Sequence, residues 1–153
     1  MAVPPLIPIT REPDHVTNTI GRYEGGQFFA YVTGASRGAF NYDPDWRKHK
    51  PWYAVLHRFD HAGTHIESQI WSPGPGLRDG LADLLASWLD ELPGREYCDI
   101  KIRPFEFTYD GIRFGLILES HGEYSAEAEE LDWAELYPDR LGFSAPWDGS
   151  YAT

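Results

Sequence analysis

The chain has 153 residues, enough to bury roughly two thirds of its unfolded surface around one core without disulfides or metal. Its net charge of −11 opposes nucleic acid and anionic membranes, its single cysteine, Cys98, excludes an internal disulfide, and no run approaches the roughly 18 apolar residues of a spanning helix. Six Trp, nine Tyr and eight Phe point to pleated, packed strands rather than to a disordered chain.

The first residues do not resemble an export signal, because Pro4, Pro5 and Pro8 interrupt the apolar stretch. A cytoplasmic protein is the expectation. Residues 19–23 and 27–33 alternate as two strands around Glu24-Gly25-Gly26, where glycine tolerates the positive φ of a hairpin turn. Residues 34–51 form an irregular loop, long for a compact domain. Within it Asp43-Pro44-Asp45 reads as N-cap, first-turn proline and first-turn acid of a short helix. A second hairpin follows over 52–59 and 64–71, closed by Asp60-His61-Ala62-Gly63.

The amphipathic helix comes next. Leu77, Leu81, Leu84, Leu85, Trp88, Leu89 and Leu92 recur at steps of three and four. Asp79 is the expected N-cap, and Pro93-Gly94 the stop. A third hairpin spans 97–109 and 112–119 around Asp110-Gly111, the strongest short turn signal in the chain. The acidic segment 120–130 reads as mobile, and a further strand is expected near 132–137. Together these elements predict an α+β fold in one globular domain, 1–153. Its mainly antiparallel sheet is built from three hairpins, with one helix packed on one face.

The chemical motifs are sparse. Gly34-Ala35-Ser36-Arg37-Gly38 matches the G-x-S-x-G elbow of serine hydrolases, but Asn41-Tyr42-Asp43-Pro44 breaks the helix that such an elbow requires. Gly74-Pro75-Gly76 before the helix has the look of a phosphate loop, yet Pro73 and Pro75 remove donors from it. His57, His61 and His65 with Asp60 and Glu67 are metal-ligand types. His65 and Glu67 share a strand face by parity, while the place of His57 depends on hairpin register. Without a motif such as H-E-x-x-H, these residues read as a cross-strand polar cluster on the wet face, and no metal or cofactor is expected. Arg37, Arg47, Lys48 and Lys50 among Phe40, Tyr42 and Trp46 resemble a single-strand nucleic-acid grip. The net charge opposes it. Pairing of this loop with the acidic C-terminal region, in the same molecule or a second copy, is the alternative.

Charge is unevenly distributed. Residues 119–153 hold nine acids against one base, Arg140. Such polarity attracts basic surfaces. The sequence therefore favours a regulatory or immunity-type module that binds a basic protein. Glu127, Glu129, Glu130, Asp132 and Glu135 steer the encounter, and an exposed aromatic such as Trp133 anchors it. The alternatives are a small hydrolase or metal-dependent enzyme using Ser36 or the His57, His65 and Glu67 cluster, and a self-associating structural protein, a homodimer.

Several short stretches carry a family resemblance: residues 23–29 (YEGGQFF), Tyr53-Ala54-Val55-Leu56-His57 with Phe59-Asp60, Asp99-Ile100 with Arg103-Pro104-Phe105, Phe114-Gly115-Leu116, and Pro146-Trp147-Asp148-Gly149 with Tyr151. In these the chain resembles small actinobacterial proteins that carry the label formate hydrogenlyase regulatory protein. The resemblance implies a cytosolic accessory or regulatory protein and brings no catalytic residues with it.

Overall fold

A computed structural model of the chain describes residues 3–35, 50–120 and 132–152. Ser36, the short helix expected after Asp43 and the acidic stretch from residue 121 lie outside them.

The segment Gly26–Gly34 carries apolar side chains at both parities, and Phe28, Phe29, Ala30 and Tyr31 are all buried. A half-exposed strand cannot do this, because successive side chains point to opposite faces. The strand (β3) therefore lies at the centre of the fold. It pairs with β2 (Ile20–Tyr23) on one side and β4 (Trp52–Phe59) on the other. With β5 (His65–Trp71) and β6 (Glu96–Tyr97) these make a five-stranded antiparallel sheet in the order β5-β4-β3-β2-β6. One face of it receives α1 (Leu81–Asp90): Leu81, Leu85, Leu89 and Leu92 close over Phe28, Ala30, Ala54 and Leu56.

The other face meets a second sheet, where β8 (Phe105–Tyr109), β9 (Ile112–Glu119), β10 (Trp133–Tyr137) and β11 (Leu141–Phe143) pair antiparallel in chain order. Phe29, Tyr31, Tyr53, Val55 and Phe59 pack there with Phe114, Leu116, Leu136 and Phe143. A two-stranded sheet, β1 (Ile7–Ile9) with β7 (Ile100–Ile102), adds four isoleucines to the same core. The result is an α+β fold of mostly antiparallel sheet. Its layers run helix, five-stranded sheet, four-stranded sheet. Among the described residues no helix is long and apolar enough to cross a membrane.

The expected single sheet is thus divided, and the reason is local. Residues 97–109 do not continue as one strand, because their partners lie in three sheets: Tyr97 opposite Gly21, Ile100 opposite Ile9, and Phe105 opposite Leu116. Pro104, with no N–H to donate, stands at the last break. The Asp110-Gly111 turn does form, with φ of 56° and 76°, the positive pair that a type I′ hairpin demands. Beyond it Gly115 has φ 138°, and a Cβ there would stand 2.1 Å from the Phe105 carbonyl oxygen. Only glycine lets β8 approach β9 so closely.

The helix starts one residue later than its acidic cue suggests. Gly80, at φ 78°, occupies the N-cap in place of Asp79, with no side-chain cap. Leu77 falls outside the helix and is 52% exposed. At the far end the helix stops earlier than the expected Pro93-Gly94 signal, at Asp90 with Glu91 as a right-handed C-cap, and Gly94, at φ 68°, lies in the turn that follows. Since α1 lacks a side-chain cap, its attachment rests on its leucine stripe. Leu89→Ala is expected to cost about 2–5 kcal/mol, as a lower urea midpoint with an unchanged m-value.

Candidate functional site

The histidine cluster takes its geometry from the register of β4 on β5. His57 stands opposite Ser68 and Arg58 opposite Glu67, but the next residue, Phe59, stands opposite His65. Ile66 is therefore an extra residue on β5, a β-bulge. The bulge reverses side-chain parity. His65 turns onto the face of Phe59, His57 and Ser68, toward the second sheet, whereas Glu67 turns to the face of Arg58 and pairs with it. The expectation that His65 and Glu67 share a face is overturned, as is the placing of His57 on a wet face: His57 is fully buried.

Four side chains form one hydrogen-bonded series. Tyr31 Oη lies 2.7 Å from His57 Nε2, His57 Nδ1 lies 2.6 Å from Ser68 Oγ, and Ser68 Oγ lies 2.8 Å from His65 Nε2. Burial, with the negative charge of Asp139 nearby, pushes the Tyr31 hydroxyl well above its ordinary value, so it keeps its proton. Tyr31 then donates to His57 Nε2, His57 Nδ1–H donates to Ser68, and the Ser68 hydroxyl donates to His65. Every buried polar atom of the series is satisfied with both imidazoles neutral.

Burial, and secondarily the charge of His65, lowers His57 to about 3. Burial also lowers His65. Aromatic rings hold both in place: His65 stacks on Phe105 at 4.5 Å and 20°, and His57 meets Phe105 edge-on at 5.0 Å. The site closes the gap between β5 and β8, the edge strands of the two sheets. Two imidazoles and a hydroxyl are short of the three or four anionic or imidazole ligands of a zinc site, and the described residues contain no group of three His, Cys, Asp or Glu able to hold a metal.

The acids form a second constellation. Of the residues expected to bind a partner, Glu127, Glu129 and Glu130 lie outside the described residues. Asp132 and Trp133 are half-buried at the start of β10. Glu135 is 9% exposed and already engaged, accepting from Arg140 and, at 3.4 Å, from Trp133 Nε1. On the same outer face Tyr137 donates to Glu119 at 2.5 Å and lies between the guanidiniums of Arg113 and Arg140, 4.8 and 4.6 Å from its ring centre. Arg113 in turn reaches Glu106 at 3.0 Å. Asp139 accepts from Thr33 and Asp148 from Ser150. Four of the nine C-terminal acids are thus internal fasteners, and Glu135 is one of them rather than a free steering charge.

Sequence reasoning did not reach Tyr31, Ser68, Arg113 or Tyr137. The first two join the histidines only through the bulge and the β3–β4 register, and the last two meet across β9 and β10. Comparison with protein-family models, curated proteins and solved structures finds no match to this chain.

The neutral histidines make stability depend on pH with a definite sign. Unfolded His57 takes up a proton near 6.5 and folded His57 only near 3, so between these values the unfolded chain binds more protons. The contribution is complete above pH 6.5 and is lost as pH falls, by up to about 1.4 kcal/mol per pH unit. Urea unfolding at pH 7.5, 6.5 and 5.5 should show this slope. His57→Gln should flatten it, while lowering stability at pH 7.5.

Proposed function

We propose that the chain is an acidic cytosolic binding module that acts on a basic protein, as a regulator or an immunity-type neutraliser. The observation that carries this is the segregation of charge. The C-terminal third holds nine acids against one base, and Asp132 leads into the outer face of β8–β11 carrying Trp133 and Tyr137. Acids in such a block steer a basic partner, and aromatic rings held by an ionic lattice are rigid anchors. Glu135, Arg140 and Arg113 hold that face in shape rather than meet the partner first. A regulatory role also agrees with the family resemblance in the sequence.

The experiment compares the native chain with Glu127→Gln, Glu129→Gln, Glu130→Gln, Asp132→Asn as bait in extracts of the native host, followed by association kinetics with the purified partner. The native chain should retain a basic protein that the neutralised chain releases. Its association rate should fall by about tenfold or more as salt rises, because screening shortens the reach of the acids. Trp133→Ala should act mainly on the dissociation rate. Retention of the same protein by both chains, or an association rate indifferent to salt, refutes steering by these acids.

A further inference from the structure

The hydrogen bonds of Tyr31, His57, Ser68 and His65 run in one direction, and that direction prepares a serine. Tyr31 keeps its proton and donates to His57 Nε2 at 2.7 Å, so the neutral His57 carries its own hydrogen on Nδ1. That N–H meets Ser68 Oγ at 2.6 Å. Ser68 therefore accepts on one side and turns its hydrogen to its other partner, His65 Nε2, at 2.8 Å. A hydroxyl hydrogen aimed at a neutral imidazole is the arrangement of a nucleophile with its general base.

The pair is held from behind and open in front. His65 stacks on Phe105 at 4.5 Å and lies parallel to Phe107, 5.8 Å away at 7°, which fixes its ring without a carboxylate. Ser68 and His65 are half-buried, whereas His57 and Tyr31 behind them are buried. The reacting atoms lie within reach of solvent and their support lies in the core.

The strand edge adds a donor. Asp60 N–H donates to the Thr64 carbonyl at 2.9 Å. By alternation Arg58, Leu56 and Ala54 also turn their backbone groups to β5, where they meet Glu67, Gln69 and Trp71. Ser68, between two of these, turns its N–H the other way, and β5 is the edge of its sheet. The N–H of the nucleophile itself is one of the donors that stabilise the oxyanion in serine hydrolases. Here no described strand takes it.

We infer that Ser68 is a reactive nucleophile with His65 as its general base, and that the pair hydrolyses small carboxylic esters. Ser68 Oγ bonds to the carbonyl carbon while its proton passes to His65 Nε2. The bond from that carbon to the alkoxy oxygen then breaks, and His65 returns the proton to the leaving alcohol. Water attacks the acyl-serine with His65 again as base, releasing the acid and restoring Ser68. The half-buried Phe105 and Phe107 beside His65 offer an apolar surface to the ester. Burial holds His65 below its ordinary value, which makes it a weak proton acceptor, and a single backbone N–H is half of an oxyanion hole. Both limit the site to acyl donors with good leaving groups, esters rather than amides. This activity is independent of partner binding at the outer face of β8–β11.

The test treats the full chain at pH 7.5 with an alkyl fluorophosphonate, which bonds its phosphorus to a reactive serine and releases fluoride and a proton. Peptide mass mapping locates the adduct, and p-nitrophenyl acetate reports hydrolysis. One phosphonyl group should appear, on Ser68 rather than on Ser36 or another serine, and it should block release of p-nitrophenolate. Unfolding in urea should abolish the labelling. His65→Gln, whose amide oxygen accepts the hydroxyl hydrogen but cannot take the proton, should slow labelling and hydrolysis by about a hundredfold or more. No adduct on Ser68 of the native chain, equal labelling in urea, or undiminished labelling of a folded His65→Gln overturns the inference. An adduct on Ser68 without p-nitrophenolate release overturns the hydrolysis. The mapping uses the native chain, so it decides the matter even where the variant fails to fold.

Discussion

The rest of the structure depends on β3 and β4 being buried on both faces. A strand in that position cannot use water on either side, so each parity must find its own apolar partner. Phe28, Ala30, Ala54 and Leu56 require a helix with a leucine stripe, and α1 supplies it. Phe29, Tyr31, Tyr53, Val55 and Phe59 require a second sheet, and β8–β11 supply that. The three layers are the consequence of one pair of strands. The polar residues among these strands inherit the same condition, which is why His57, fully buried, must be held neutral and hydrogen-bonded at both ring nitrogens.

The bulge at Ile66 solves a problem that this burial creates. In regular pairing the partner of Phe59 would keep the parity of Ser68, and one residue on β5 would have to be taken up elsewhere. The extra residue instead brings His65 to the inner face, where it accepts from Ser68 and stacks on Phe105. It also leaves Glu67 outside with Arg58. One inserted residue thus separates a carboxylate from two imidazoles, and a set of metal-ligand types in sequence becomes a neutral hydrogen-bonded series in space.

Charge follows the same logic on the outer face of β8–β11. Glu119 and Glu135 sit where strands hold them beside Tyr137, Arg113 and Arg140, so their charge is spent within the chain. An acid whose charge is matched in place contributes shape. The steering role we propose falls to Asp132 and the acids before it in the sequence. Which of the described acids fasten the fold follows from their neighbours in space, not from composition.

Several features were determined by the sequence alone. The helix was written in its leucine period, the β2–β3 and β4–β5 strands in their alternation and turn residues, and the Asp110-Gly111 hairpin in two residues that tolerate positive φ. These are local signals, and local geometry obeys them. Tertiary structure decided what depends on partners distant in the chain. Residues 97–109 broke into three strands because their neighbours lay in three sheets. Gly80 rather than Asp79 began the helix. Tyr31 and Ser68 joined the histidines, and Glu67 left them, because strand register sets side-chain parity and a single bulge reverses it.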